Sequence, residues 1–429
     1  MYWLVEDKEQ LEVLTRIGYK EAFIEVIPYN DTIHPTQNHI SLLYIRPILA
    51  SKGFMVCIHH SEALNVLSTY KTKIINLLNK FEKLYCYDKK ETLHYLPLKA
   101  LYDINPPPTT YIRPTTQTHE IYYSKHKDNP SLNLIIPIVK HYERCETLFG
   151  DLKANINREK TKYDEFFNSK TTMVFNAIER SGIRVHVPTF EEYFHPLKGE
   201  YVYTQFNLKT TTTRPSNSFK NVNYAALNKE NGCRKSFIPR NNKFVDFDVK
   251  SMHVIILSKL IGYKLPPGDI YEYLGEIYGL KREEAKILTL KQINSSTLNE
   301  YENLEFFKKI SLYKNRLWEK FGRMGYVECP VSGYFIKKED VGDMNPGKLL
   351  NYLLQCLETS IQVKILWELF RGLKGFETKI VLYVYDSILL DLKDSEKNKV
   401  LSLIRDVYTK YGFDLNYKEG NDYHSLVSP

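Results

Sequence analysis

Three observations predict a mixed α/β (α+β) fold. The N-terminal hundred or so residues set short strand-like runs around a helical segment. The middle of the chain is dominated by helical periodicity. Near the C-terminal end a long helix with little polar surface precedes an oily hairpin.

Taken in order, "AFIEVIP", "ISLLYIRPI" and "GFMVCIHH" are rich in β-branched and aromatic residues and read as strands, with a helical segment around 61–84. "NPPPTTYIRPTTQ" at 105–117 cannot continue a helix or a central strand and marks a boundary. From about 136 to 182 one side is charged and the other apolar, a helical pattern that ends at Ser181-Gly182 and opens a short strand. Residues 201–260 read as strands and polar turns, and 268–325 as helices. "GYVECPVSGYFI" (325–336) is a hairpin with a Gly turn, and "GKLLNYLLQCLETSIQVKILWELFRGL" (347–373) is a central helix. A hairpin over 379–392 and a helix near 394–411 follow.

Composition narrows the function classes. Lys plus Arg number 59 against 51 Asp plus Glu, a net charge of +8, which has the sign expected for a handler of polyanions. The six cysteines lie far apart, with no CxxC and no paired His spacing, so neither a zinc site nor a disulfide framework is expected. "MYWLVEDKEQL" has no secretion signal, and no apolar run approaches the roughly 18 residues that span a bilayer. The expectation is a cytoplasmic protein without membrane contact.

The chemistry begins at "VYDSILLDL" (384–392), where a carboxylate, Asp386, sits at the tip of an apolar hairpin. Alone it reads as a turn former. "KFVDFDVKSMH" supplies a second acid: Asp248 ends a strand and shares one face of it with Asp246, itself either a third acid of the site or a solvated strand-end charge. Two such carboxylates can bridge two divalent ions, one activating a hydroxyl and the other steadying the leaving oxygens of a phosphoryl group. In "REEAKILTLKQIN", Arg282, Lys286 and Leu290 recur every four residues, two cations and an apolar platform on one helical face. The competing reading is a solvated helix balanced by Glu283 and Glu284.

Eight segments, in order from about 130 to 429, resemble the polymerase module of family A (DNA polymerase I-type) DNA polymerases, particularly short phage-type members. They are "TTTTRPSN" (210–217), "NVNYAALN" (221–228), "GCRKSFIP" (232–239), "DFDVKSMHVIIL" (246–257), "REEAK" (282–286), "LWEKFGRMGYVECPVSGY" (317–334), "NYLLQ" (351–355) and "VYDS" (384–387). The resemblance implies Asp248 and Asp386 as catalytic metal ligands for two Mg²⁺, with Mn²⁺ able to substitute. It implies Arg282, Lys286, Leu290, His253 and Asn294 around the nucleotide. Arg214, Asn223, Arg234, Asn351, Gln355 and Tyr385 would grip primer and template. The implied reaction is template-directed addition of dNTPs to a primer 3′-OH, in phage or plasmid replication, by a monomer that meets primer-template DNA, dNTPs and other replication proteins in the host cytoplasm.

The sequence also departs from the family pattern. Thr213 stands where Gly is usual, His253 for Glu, Asn294 for Tyr, Ser295 for Gly, Leu290 for Phe or Tyr, and Tyr385 for His. In the family the Glu hydrogen-bonds the Tyr and closes off room for a 2′-OH. A His253–Asn294 hydrogen bond would preserve that filter in altered form; otherwise His253 is a satisfied core histidine. Tyr385 is either a primer contact or a packed hairpin residue. These departures motivate an alternative, a catalytically impaired, polymerase-derived DNA-binding replication factor.

The implied architecture is a right hand behind a small domain: 1–117 a degenerate 3′–5′ exonuclease-like α/β domain, 118–182 a reduced thumb, 183–257 with 326–429 the palm, and 258–325 the fingers. The first domain lacks the Asp-x-Glu strand of that nuclease, so its site is expected to be dismantled unless Glu25, Asp31, Asp88 and Asp103 reassemble it.

Overall fold

The computed structural model describes residues 2–16, 18–107, 117–126, 128–295 and 301–429. They form two compact units, one of residues up to 160 with 167–180, the other of residues 161–166 with 181–429. Most of the boundary expected at 105–117 lies at 108–116, outside the described residues.

The first unit is built on six strands, β1 (Trp3–Val5), β2 (Glu21–Pro28), β3 (Ile40–Pro47), β4 (Phe54–Cys57), β5 (Lys83–Cys86) and β6 (Leu101–Asp103). They form one mixed sheet in the order β1-β4-β3-β2-β5-β6. The near-continuous apolar runs of β2 and β3 mean that both faces are covered. Ala22, Ile24 and Val26 share a core with Leu11 and Leu14 of α1 (Lys8–Thr15) and Ile74, Leu77 and Leu78 of α2 (Lys71–Leu78). Phe23 and Ile27, on the opposite face, pack with Cys145, Leu148 and Leu152 of α4 (Ile138–Asn157). The helix expected over 61–84 is shorter: it begins only at Lys71, after turns and a short 3-10 segment, and its expected last residues belong to β5.

Between β5 and β6 lies α3 (Lys89–Tyr95), whose Lys90 and His94 are both buried. Glu179 of α5 (Thr172–Ser181) accepts a hydrogen bond from Lys90 Nζ at 2.6 Å and pairs with His94 Nε2 at 2.8 Å. Burial pushes the Glu179 carboxyl up, but the Lys90 charge and His94 outweigh it and hold the pKa below its usual value.

The four acids considered for a nuclease site are placed as follows. Asp88 caps α3 by accepting from Glu91 N, and Asp103 accepts from the backbone N–H groups of Lys89 and Asn105. Asp31 accepts from the Tyr123 hydroxyl, and Glu25 is buried in β2. Among the described residues of either unit, no three His, Cys, Asp or Glu side chains are grouped to hold a metal ion.

The second unit centres on an antiparallel sheet of β7 (Lys243–Val249), β8 (Lys379–Val384), β9 (Ser387–Leu392) and β10 (Leu415–Gly420), in the order β8-β9-β7-β10. Its helices are α6 (Met252–Ile261), α7 (Ile270–Tyr278), α8 (Arg282–Asn294), α9 (Glu305–Met324), α10 (Pro346–Gly372) and α11 (Lys397–Lys410). The central helix and the hairpin read from the sequence are α10 and β8–β9, and the Gly-turn hairpin is formed by Tyr326–Glu328 and Phe335–Lys337.

Two contacts fix the far end of α8. Lys314 of α9, buried, donates to the carbonyls of Gln292 at 3.3 Å and Ser295 at 2.5 Å, satisfying acceptors that a helix end leaves open. Desolvation lowers the Lys314 pKa to about 8. At the start of α10, a Cβ on Gly347 would lie 2.1 Å from the Asn294 carbonyl oxygen, so this approach requires glycine.

In the first unit, the buried ion cluster sets a stability expectation. Glu179→Ala would leave Lys90 buried without its counter-charge, a change that costs about 3–5 kcal/mol. Urea denaturation of the variant checks it; a midpoint unchanged from that of the unaltered chain would show the cluster contributes nothing.

Candidate active site

Strand β7 presents Asp248 because its odd-numbered neighbours are anchored inward: Val245, Phe247 and Val249 are buried, and Phe247 stacks on Tyr417 at 5.6 Å. The pairing of β7 with β9 places Asp248 opposite Ser387, and Val249 N donates to the carbonyl of Asp386 at 3.2 Å. The hairpin turn that carries Asp386 contains Tyr385 in a left-handed conformation, φ 61°. The tip of one hairpin and the end of the central strand are thus fixed side by side. Ser387 Oγ donates to Asp246 at 2.7 Å and holds that third acid within the same charge field.

The proximity is visible in the acids' protonation. Burial, then the charges of Asp386 and Asp246, push the Asp248 carboxyl up to about 6, against the pull of Lys286 and Lys229. Asp386 is raised by burial and then by the charge of Glu358. Asp246 is raised by burial, with the Ser387 hydrogen bond opposing. Carboxylates held together at this cost suit a divalent cation, which would reverse the sign of their local field.

Asp248 and Asp386 lie in a cleft of about 410 Å³. Arg282, Lys286 and Leu290 of α8 line it too, with the four-residue spacing read from the sequence. Lys286 makes no ion pair among the described residues, whereas Arg282 donates to Asp269 at 2.7 and 3.0 Å and also pairs with Glu283. Of the two cations expected at the phosphates, Arg282 is therefore already balanced, and Lys286 is presented openly.

His253 lines the cleft, but the bond expected to Asn294 is not made. Its Nε2 pairs with Glu358. A buried carboxylate is a stronger partner than an amide, and Asn294 stands exposed where α8 ends. The hydrogen bond expected between His253 and Asn294 thus gives way to one between His253 and Glu358.

Of the residues expected to grip primer and template, Arg214 lines the cleft and forms a bidentate pair with Glu358. Its guanidinium stacks on Tyr385 at 3.8 Å. Asn351 and Gln355 share one face of α10, joined at 3.4 Å. Arg234 donates to the Leu227 carbonyl and stacks on Tyr423, and Asn223 is exposed beside Ser218.

No protein family's sequence model matches the chain, and no curated protein matches it. Its architecture is nevertheless shared with a solved structure, the POL domain of Pol1 from M. smegmatis in complex with DNA primer-template and dNTP. The two agree with a TM-score of 0.71 over 98% of this chain and 99% of that one, at 11% sequence identity. The chain has a right-hand polymerase fold.

Within this polymerase fold the cleft contains residues that sequence reasoning missed. Glu358, Lys229, Tyr271 and Asn416 all line it. Glu358 left one signal: it is an acid within the buried run "LLQCLETSIQVKIL", and a buried charge demands a partner. Asp269 had a cap's signature ahead of "IYEYL", and accepts from the backbone N–H of Tyr271 at 2.8 Å as well as from Arg282.

The raised Asp248 pKa has a pH consequence. Relative to an ordinary value of 3.8, a folded value of about 6 means that the folded chain binds more protons than the unfolded one between those pH values. Stability from this group then falls as pH rises through the window. In chelator, Asp248→Asn should gain stability relative to the unaltered chain between about pH 4 and pH 6. Urea melts across that range read it; a constant difference would mean the carboxyl is unperturbed.

Proposed function

We propose that the chain is a template-directed DNA polymerase, which joins a deoxynucleotide to a primer 3′-OH and releases pyrophosphate. The observation that carries this reading is the strand register that sets Asp248 beside Asp386, in one cleft with Lys286. Acids for a cation and a cation for phosphates, in a cleft open enough for a nucleotide, suit phosphoryl transfer.

The donor set fits magnesium: both groups are carboxylates, hard oxygen ligands with unfavourable mutual repulsion. Asp248 and Asp386 would hold two Mg²⁺, which when bound supply the charge that acidifies the primer hydroxyl and stabilises the leaving oxygens. The chain's own residues do the rest. Lys286 neutralises phosphate charge, Arg282 does so only by sharing Asp269, and Leu290 offers the base an apolar surface. Arg214, Asn351 and Gln355 position the primer-template, mostly by contacts that carry no sequence information.

The M. smegmatis protein, solved with primer-template and dNTP, supports the same partners here. A phage or plasmid replication setting belongs to the proposal on the strength of the eight motif segments. The alternative, a DNA-binding factor without catalysis, leaves the crowding of Asp248 and Asp386 without a purpose.

Asp248→Asn and Asp386→Asn should each abolish primer extension with Mg²⁺ while primer-template binding persists. Gel-resolved extension and fluorescence anisotropy measure the two, and continued synthesis by either variant refutes the assignment. Leu290→Phe should restore a stacking surface worth roughly 1–3 kcal/mol. The KM for dNTP is then expected to fall by about ten-fold, the equivalent of ~1.4 kcal/mol; a KM that stays put or rises would show that the base does not rest on Leu290.

A further inference from the structure

We propose that Glu358 is a positioning residue of the cleft, the group that fixes how Arg214 and His253 face a bound primer end and nucleotide; the role rests on the polymerase reading. Nothing in the motif pattern assigns it a part. Its side chain is 2% exposed, and both carboxylate oxygens are engaged. Oε1 accepts from Arg214 Nε at 3.2 Å and Nη2 at 2.9 Å, while Oε2 accepts from Nη2 at 2.9 Å and pairs with His253 Nε2.

The guanidinium is held in two directions at once. The carboxylate grips its Nε–Nη2 edge, and the Tyr385 ring supports its face at 3.8 Å. The Nη1 edge, which makes no hydrogen bond among the described residues, is left for a ligand in the cleft. His253 is fixed likewise at Nε2, with its other ring nitrogen making no hydrogen bond among the described residues.

The loop before Arg214 is clamped to suit. Thr213 has φ 58°, and the carbonyls around it accept from Tyr334 Oη (Thr211, 2.9 Å), Cys356 Sγ (Thr212, 3.1 Å) and Thr210 Oγ1 (Arg214, 2.8 Å). Cys356 and Glu358 are neighbours on α10, so one helix holds both the loop and the side chain it carries.

Two effects of Glu358 have opposite signs, which makes the role testable. As a charge, it partly cancels Arg214, so its loss makes the cleft more positive and should not weaken binding of a polyanion. As an anchor, it orients donors, so its loss should slow the chemistry. A structural prop would lower both together.

The test uses the full chain with Glu358→Gln, close in shape, and Glu358→Ala, alongside Glu368→Gln as a control. Glu368 is on the same helix but outside the cleft, paired with Lys410. Primer-template affinity is read by anisotropy without dNTP, extension by single-turnover kinetics, and folding by thermal melts. The expected result is affinity unchanged or tighter for both Glu358 variants, with extension at least ten-fold slower and the control unaffected. Extension within two-fold of the unaltered chain overturns the proposal. So does a parallel loss of affinity, extension and melting temperature in both variants. If the unaltered chain binds primer-template but never extends it, the polymerase reading fails and this role with it.

Discussion

Antiparallel pairing of β7 with β9, in the register that sets Asp248 opposite Ser387, is the constraint on which the cleft depends. Side chains alternate along a strand, so a slip of one residue would turn Asp248 inward and bring Val249 or Phe247 out. The register is over-determined by Val245, Phe247 and Val249, all buried on the face opposite Asp248, and by a second ladder to β10. Hydrophobic burial thereby enforces an electrostatically unfavourable neighbour pair. No single local preference of Asp248 or Asp386 would bring them together; the sheet does.

The cost of that arrangement is distributed over the walls of the cleft. Glu358 is matched by Arg214 and His253, and Arg282 by Asp269. Each pairing removes a charge from the open balance. Asp248 and Asp386 remain on one side, and Lys286 and Lys229 are the cations that pull the Asp248 pKa back down. The result is a cleft with concentrated negative charge where cations would sit and an exposed positive charge where phosphates would sit. A uniformly positive groove would bind polyanions as well but could not place a reaction.

Much of this was legible in the sequence, and the division between what was and was not has a physical basis. The β8–β9 hairpin, the strand ending at Asp248, α10 and the spacing of Arg282, Lys286 and Leu290 follow from periodicity and apolar runs, which are local properties. The helix over 61–84 is shorter at both ends, Lys71–Leu78, because the turns of 61–70 and of 79–82 are not separated from it by any Gly or Pro. The partners of His253, Arg214 and Arg282 were not legible, since each is a contact between chain segments distant in sequence. Asn294 shows the limit well: four residues after Leu290, it falls on the expected helical face, yet α8 ends there and the cleft does not include it.

Three of the unusual positions noted in the sequence, Thr213, His253 and Tyr385, gather around Arg214 and Glu358. Thr213 sits beside Arg214, His253 bonds Glu358, and Tyr385 lies under the Arg214 guanidinium. Three of the six substituted positions therefore touch one buried carboxylate or its partner. Thr213 adopts a left-handed backbone that costs a non-glycine residue roughly 1–2 kcal/mol, and the hydrogen bonds from Tyr334, Cys356 and Thr210 to the same loop offset it. A charge at position 358 must be neutralised to be buried; Arg214 provides the counter-charge, and His253 adds a hydrogen-bond partner. An apolar residue at 358 would leave His253 without its acceptor and Arg214 held only by a ring face.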